Sequence, residues 1–190
     1  MNLDYIIQNR RNIKPKFFSG EPVEDDVVKK IISSANWAPT HGFTEPWRFV
    51  VFSGSSIKEL ASFQSELYKT ISAEDFNANK YEKLYKVPQL ASHIIAIVVS
   101  KSINTRISLL EEIVATSCAV QNMLLSAYQY NVSVHWTTGG MTYEDQMKTF
   151  LGFNTNDQVL GFLYLGKSDL SIHKGIRLSS SESKTKWKQF

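Results

Sequence analysis

Apolar residues recur along the chain at two spacings, and the changes between them divide it into helices and strands. Leu3, Ile6, Ile7 and Arg10 fall at i, i+3, i+4 and i+7, predicting a first helix with Arg10 on its apolar face. An arginine there needs a carboxylate or a bound anion once water is removed. Glu24, Asp25 and Asp26 open a second helix whose stripe is Val27, Val28, Ile31, Ile32 and Ala35, and Pro39 ends it. A loop then runs from Thr40 to Pro46, and Phe49–Phe52 reads as a strand closed by Ser53-Gly54.

Ser56-Ile57-Lys58-Glu59 has the spacing of a capping box and opens a helix to Ile71. Asp75–Lys86, with Phe76, Tyr81, Leu84 and Tyr85, reads as a charged, aromatic helical cover. Ile94–Val99 is apolar at every position, as a strand covered on both faces would be. Ser108–Tyr130 is a long helix, apolar nearly all round from Ala115 to Ala127, which suits a core or an oligomer seam. Thr142 and Asp145 are expected to cap a short helix ending near Leu151-Gly152, and Val159–Leu165 is a last buried strand. The order is α-α-β-α-α-β-α-α-β, without repeats: an α+β or α/β sandwich.

With 190 residues the chain is long enough for one core, and 43% hydrophobic content excludes a disordered polymer. Its single cysteine, Cys118, lies inside the apolar helix and reads as a structural thiol. The N-terminus lacks the basic and apolar regions of a signal peptide, and the longest apolar run, Ile94–Val99, cannot span a bilayer, so a cytoplasmic location is expected. Six basic and two acidic residues from Lys167 onward leave a basic tail on a nearly neutral body. The tail reads as a solvated terminus; neither nucleic acid nor membrane is expected as a partner. No histidine pair has metal-ligand spacing, and nucleophile-elbow, P-loop and dinucleotide-binding patterns are missing, so no metal site is expected.

Three clusters remain. Arg10-Arg11-Asn12, with Lys14 beyond it, offers planar bidentate donors beside a short polar side chain, suited to a phosphate and a neighbouring hydroxyl. Ala38-Pro39-Thr40-His41 through Pro46-Trp47-Arg48-Phe49 sets polar side chains and freed amides between two prolines. His135-Trp136-Thr137-Thr138-Gly139-Gly140 offers a large ring, two hydroxyls and flexible amides. Together they suit a flat, polar-edged aromatic ligand carrying a phosphate.

These same residues resemble the signatures of the FMN-dependent nitroreductases, in particular the small single-domain, YdjA-like branch. The family's R-R-S-x-R reads here as Arg10-Arg11-Asn12-Ile13-Lys14, and its A-P-S-x-x-x-x-Q-P-W-x-F as Ala38 to Phe49. Its W-x-[ST]-G turn appears as Trp136-Thr137-Thr138-Gly139, and a G-F-L-Y-L-G strand stands at Gly161–Gly166. The match runs in order from residue 1 to about 168, giving a nitroreductase-like FMN-binding domain over 1–178 and a basic Ser/Lys-rich tail over 179–190.

The resemblance implies an α+β nitroreductase-like fold with a central, mostly antiparallel sheet flanked by helices, in a homodimer holding FMN at its interface. It implies that Arg10, Arg11 and Asn12 bind phosphate and ribityl from one subunit. Trp37, Pro39, Thr40 and His41 would pack on the isoalloxazine from the other. Trp136, Thr137, Thr138 and Gly139 would lie along the ring edge. The reaction implied is ping-pong transfer of hydride from NAD(P)H, through tightly bound FMN, to a nitroaromatic, quinone or similar electrophile, with no catalytic side chain beyond those that hold the flavin. A specialised role on the same fold, as a dehalogenase, a flavin-consuming enzyme or a sensor without turnover, is the alternative. The chain departs from the pattern at Asn12, Lys14 and Glu45, which stand where the family has Ser, Arg and Gln. Glu45 would either oppose a negative charge on the reduced ring or pair with Arg48 on the surface.

Overall fold

The computed structural model describes residues 2–103, 106–168 and 175–188. In chain order the elements are α1 Leu3–Asn9, α2 Asp25–Ala35, β1 Trp47–Ser53, α3 Ser55–Ser72, α4 Ala78–Lys86, β2 His93–Val99, α5 Leu109–Gln129, β3 Ser133–Thr137, α6 Asp145–Phe150 and β4 Gln158–Gly166. The strands form one sheet in the order β1-β2-β4-β3, every neighbouring pair antiparallel.

Helices cover both faces of this sheet. On one, Ile95, Ile97, Leu163 and Leu165 pack against Ile31 and Ala35 of α2 and Ala119 and Met123 of α5. On the other, Ile94, Ala96, Val98 and Phe162 pack against Leu60 and Leu67 of α3 and Met147 of α6. All seven β2 positions are therefore buried. A continuous apolar run, rather than alternation, is what a strand covered on both sides requires. α4 folds back along α3 and has no fully buried residue of its own. No helix among the described residues is long and apolar enough to cross a membrane.

Four local expectations are corrected. His135-Trp136-Thr137 is not a turn but the end of a strand, β3, paired with Leu163 and Tyr164 of β4, so the element order gains a strand. α1 stops at Asn9; Leu3 and Ile7 are exposed and only Ile6 of the expected stripe is buried, so Arg10 lies beyond the helix rather than on its apolar face. α3 starts one residue earlier behind Gly54, and Ser56 Oγ turns back to the Ser53 main chain instead of closing a box with Glu59. Thr142 does not cap α6: its hydroxyl donates to the Gly139 carbonyl at 2.6 Å, and the N-cap is Glu144.

Candidate flavin site

Arg10 leaves α1 in an extended conformation (φ −57°, ψ 133°) while its N–H still bonds the Ile6 carbonyl. It borders a cavity of about 340 Å³ walled by Tyr5, Arg11, Leu124, Tyr128 and Val134. The guanidinium is half-buried, and no carboxylate among the described residues pairs with it. Burial first, then Arg11 and Arg177, push its pKa below the usual arginine value. Arg11 lies over the end of α1, donating to the carbonyls of Gln8 (2.6 Å) and Arg10 (2.8 Å). A β-carbon on Gly175 would stand 2.5 Å from Arg11 Nη2, so the chain at Gly175 passes directly against the Arg11 guanidinium.

Sequence reasoning missed Arg177. It stands just ahead of the 179–190 tail, in a stretch that carries no motif, and only the fold brings it within electrostatic reach of Arg10. Cations gathered around a partly dried site, where Arg10 pairs with no carboxylate among the described residues, are a donor set for a phosphate.

Asn12 joins this site to the next cluster. It forms an isolated parallel bridge with Val134, the Ile13 N–H donates to the Val134 carbonyl at 2.9 Å, and the Asn12 side chain accepts from the Trp136 N–H at 2.7 Å. Arg10-Arg11-Asn12 and Trp136-Thr137-Thr138-Gly139 are thus held edge to edge by short hydrogen bonds. The Trp136 indole lies against Gly161, where a β-carbon would stand 2.8 Å from Nε1 and 2.6 Å from the Thr137 carbonyl. That glycine has φ 138° and sits where the β2–β4 register shifts. The indole N–H is buried and without a partner, as is His135 Nδ1. Burial, and Lys14 nearby, lower the His135 pKa and keep the ring neutral at pH 7. Beyond Thr137 the chain turns tightly through Gly140, at φ 69°.

The third cluster lies elsewhere. Trp37, Pro39, Thr40 and His41 precede β1, at the sheet edge opposite β3. Trp37 and Phe43 are 86% and 90% exposed. Thr40 Oγ1 lies 3.2 Å from Thr44 Oγ1 and accepts from the Glu45 N–H, which fixes a tight loop with positive φ at Gly42, Phe43 and Glu45. His41 Nδ1 meets Glu111 Oε1 at 2.8 Å. Glu111 closes a capping box with Ser108 at the start of α5. Those Ser108 bonds and then His41 pull its carboxyl down to about 2. The surface pair expected of Glu45 takes another form: Arg48 donates to the main-chain carbonyls of Glu45 (2.7 Å) and Trp47 (2.8 Å), not to the carboxylate. Within one chain, then, two clusters meet and the third stands apart.

Known proteins share the sequence pattern and the fold. YfhC of Bacillus subtilis, whose name assigns it provisionally to the NAD(P)H nitroreductases, is 26% identical over 164 residues, covering 86% of this chain and 83% of its own. A nitroreductase-like family protein from Bacillus cereus superposes with a TM-score of 0.88 at 21% identity, over 100% of this chain and 97% of the other. An FMN-dependent nitroreductase of Mycobacterium smegmatis, solved with NADPH, superposes at 0.72 and 16% identity over 98% and 97% of the two chains. The nitroreductase family model matches residues 7–167, and the chain belongs to that family.

Proposed function

We propose that the protein is an FMN-dependent oxidoreductase that takes hydride from NAD(P)H and passes it to a nitroaromatic, quinone or similar electrophile in a ping-pong cycle. The observation that carries this reading is the gathering of Arg10, Arg11 and Arg177, with no carboxylate paired to Arg10 among the described residues, beside the Asn12–Trp136 link. The residues fit the group. Arginine forks suit a phosphate dianion, a polar Asn12 stands next to them, and the unpartnered indole N–H of Trp136 is a buried donor awaiting an acceptor. FMN, when bound, supplies the two-electron chemistry. The chain's residues bind it, orient it and exclude water.

The flavin site is completed by a second copy. Glu111, which holds His41, and Tyr128, which walls the Arg10 cavity, lie on the same helix, about 25 Å apart at 1.5 Å per residue. The loop carrying Trp37 and Phe43 therefore cannot fold back over its own Arg10 site. Those exposed aromatics continue onto Leu110 and Val114 of α5, an apolar surface that suits a twofold partner. This supports a homodimer with FMN between subunits, Trp37, Pro39, Thr40 and His41 coming from one and Arg10, Arg11, Asn12 and Trp136–Gly139 from the other.

Purified protein should be yellow, with a flavin absorption band bleached by NAD(P)H and restored by a quinone. Colourless protein that takes up no added FMN would sink the reading; yellow protein that NAD(P)H does not bleach would leave a flavin sensor.

A further inference from the structure

An ion pair joins the exposed loop before β1 to the start of α5, and Glu111 divides its carboxylate between the two. Oε2 accepts from the Ser108 N–H at 2.8 Å and from the Ser108 hydroxyl at 2.9 Å, while Oε1 meets His41 Nδ1 at 2.8 Å. The first two bonds fix the carboxylate on the helix terminus, and the third fixes the ring on the carboxylate. The loop is braced independently. Thr40 Oγ1 accepts from the Glu45 N–H, and a β-carbon on Gly42, at φ 59°, would stand 2.9 Å from Ile107 Cδ1. Ile107 is itself buried, so the imidazole rides on a loop seated against the core.

This arrangement assigns the two ring nitrogens. The Glu111 carboxyl, pulled down to about 2, is ionised across the neutral range and can only accept. Nδ1 must therefore carry the hydrogen. Nε2 is the open end of a side chain that is 63% exposed in the single chain, and it makes no hydrogen bond among the described residues. A carboxylate on one imidazole nitrogen, with the other left open, orients a histidine for proton transfer and gives its charged form a counter-ion. As a stability device alone, so exposed a pair would contribute little.

We infer that His41 is the proton donor to the electron acceptor and that Glu111 is its positioning residue. This rests on the flavin reading and its shared site, in which the loop of one copy covers the ring held by the other. It adds what a hydride leaves unsupplied. A quinone that takes up a hydride becomes a hydroquinone monoanion. The Nε2–H bond then breaks, an O–H bond forms on the phenolate oxygen, and the imidazole recovers its proton from water. Both electrons come with the hydride, so no further reactant is needed.

Rapid mixing separates the two halves of the cycle: bleaching of the flavin band by NAD(P)H, and its recovery with benzoquinone. Wild type that is colourless, or is not bleached, would defeat the flavin reading itself before any variant is measured. In yellow, bleachable protein kept in excess FMN, His41→Ala should slow recovery about a hundredfold more than bleaching, the lower end of what a positioned acid contributes. Added imidazole should restore part of that rate. Glu111→Ala should slow recovery less, and the double variant no more than His41→Ala, because Glu111 acts through the ring. Nitrogen-15 spectra of the loaded protein give a readout apart from activity: the neutral His41 ring should hold its proton on Nδ1 in wild type and move it to Nε2 in Glu111→Ala. Equal slowing of both half-reactions in His41→Ala, or a recovery that imidazole leaves unchanged, would overturn the proton role and leave His41 a wall of the site. Additive losses in the double variant, or a wild-type ring protonated at Nε2, would overturn the positioning role. If Glu111→Ala does not fold, Glu111→Gln removes the charge while keeping an acceptor for Ser108, and is judged by the same ratio of half-reactions.

Discussion

Arg10 carries a charge that cannot be shed at neutral pH, and its surroundings oppose that charge: burial first, then Arg11 and Arg177. Such a group weakens the empty fold and, on the proposed reading, strengthens the one loaded with a phosphate-bearing flavin. Arg10→Met should therefore raise the melting temperature of the apoprotein and weaken FMN binding by about tenfold to a few hundredfold, the range of one or two charge-assisted bonds. Arg10→Lys should fall between, keeping the charge but not the fork. Fluorescence titration with FMN and thermal melts with and without it check both halves; equal FMN affinities in the three proteins would remove the phosphate from Arg10. Gly161 shows the other kind of residue-scale constraint, one of space. Its φ of 138° and the 2.6 Å approach of the Thr137 carbonyl leave no room for a methyl group. Gly161→Ala should cost about 2–4 kcal/mol in urea unfolding and shift the Trp136 fluorescence, because the indole must move.

At the scale of elements, the long and strongly periodic segments were legible in the sequence. α2, α5 and the two central strands appear within a residue or two of where the pattern put them, since each buries a whole stripe or both faces. β3 was not legible. Five residues at a sheet edge, with His135 between Val134 and Trp136 and two glycines following, have the local signature of a turn, and only pairing with β4 makes them a strand. Capping chemistry went astray for a similar reason. Ser56 and Glu59 have the box spacing, but the chain enters α3 through Gly54, while the box that forms is Ser108–Glu111. That box carries a pH dependence. The Glu111 carboxyl is held at about 2 in the fold, against an ordinary 4.5 when released. A depressed carboxyl pKa stabilises above the unfolded value and ceases to do so as pH falls from about 4.5 toward 2. Glu111→Gln should lower the melting temperature at pH 7 and flatten its decline across that acid window. Melts at pH 7, 4 and 3 on both proteins would show it, and parallel curves would assign the acid limb to other carboxylates.

For the whole molecule, the candidate site could be read in the sequence as three clusters but not as an arrangement. Nothing in the spacing of Arg10, Trp37 and Trp136 reveals that the sheet puts the first and last on one edge and Trp37 on the other, or that the tail returns Arg177 to Arg10. The separation matters because, on the proposed dimer, it would make assembly and cofactor binding one event. If the α5 face bearing Leu110 and Val114 and the exposed Trp37 and Phe43 meet their equivalents in a second copy, the dimer is also what closes the flavin site. A paired Leu110→Glu and Val114→Glu substitution alters side chains that are already 69% and 54% exposed in the single chain, so it leaves the internal core untouched. It should convert the protein to a monomer by light scattering at micromolar concentration, because burying like charges across a twofold axis costs more than the apolar contact returns. The same variant should keep its far-ultraviolet circular dichroism and its Arg10, Arg11 and Asn12, yet emerge colourless, lacking the ring-covering loop of the partner. A monomer that stays yellow would mean that one chain holds the flavin alone, and that the 25 Å separation along α5 is spanned by some rearrangement of the Thr40–Pro46 loop.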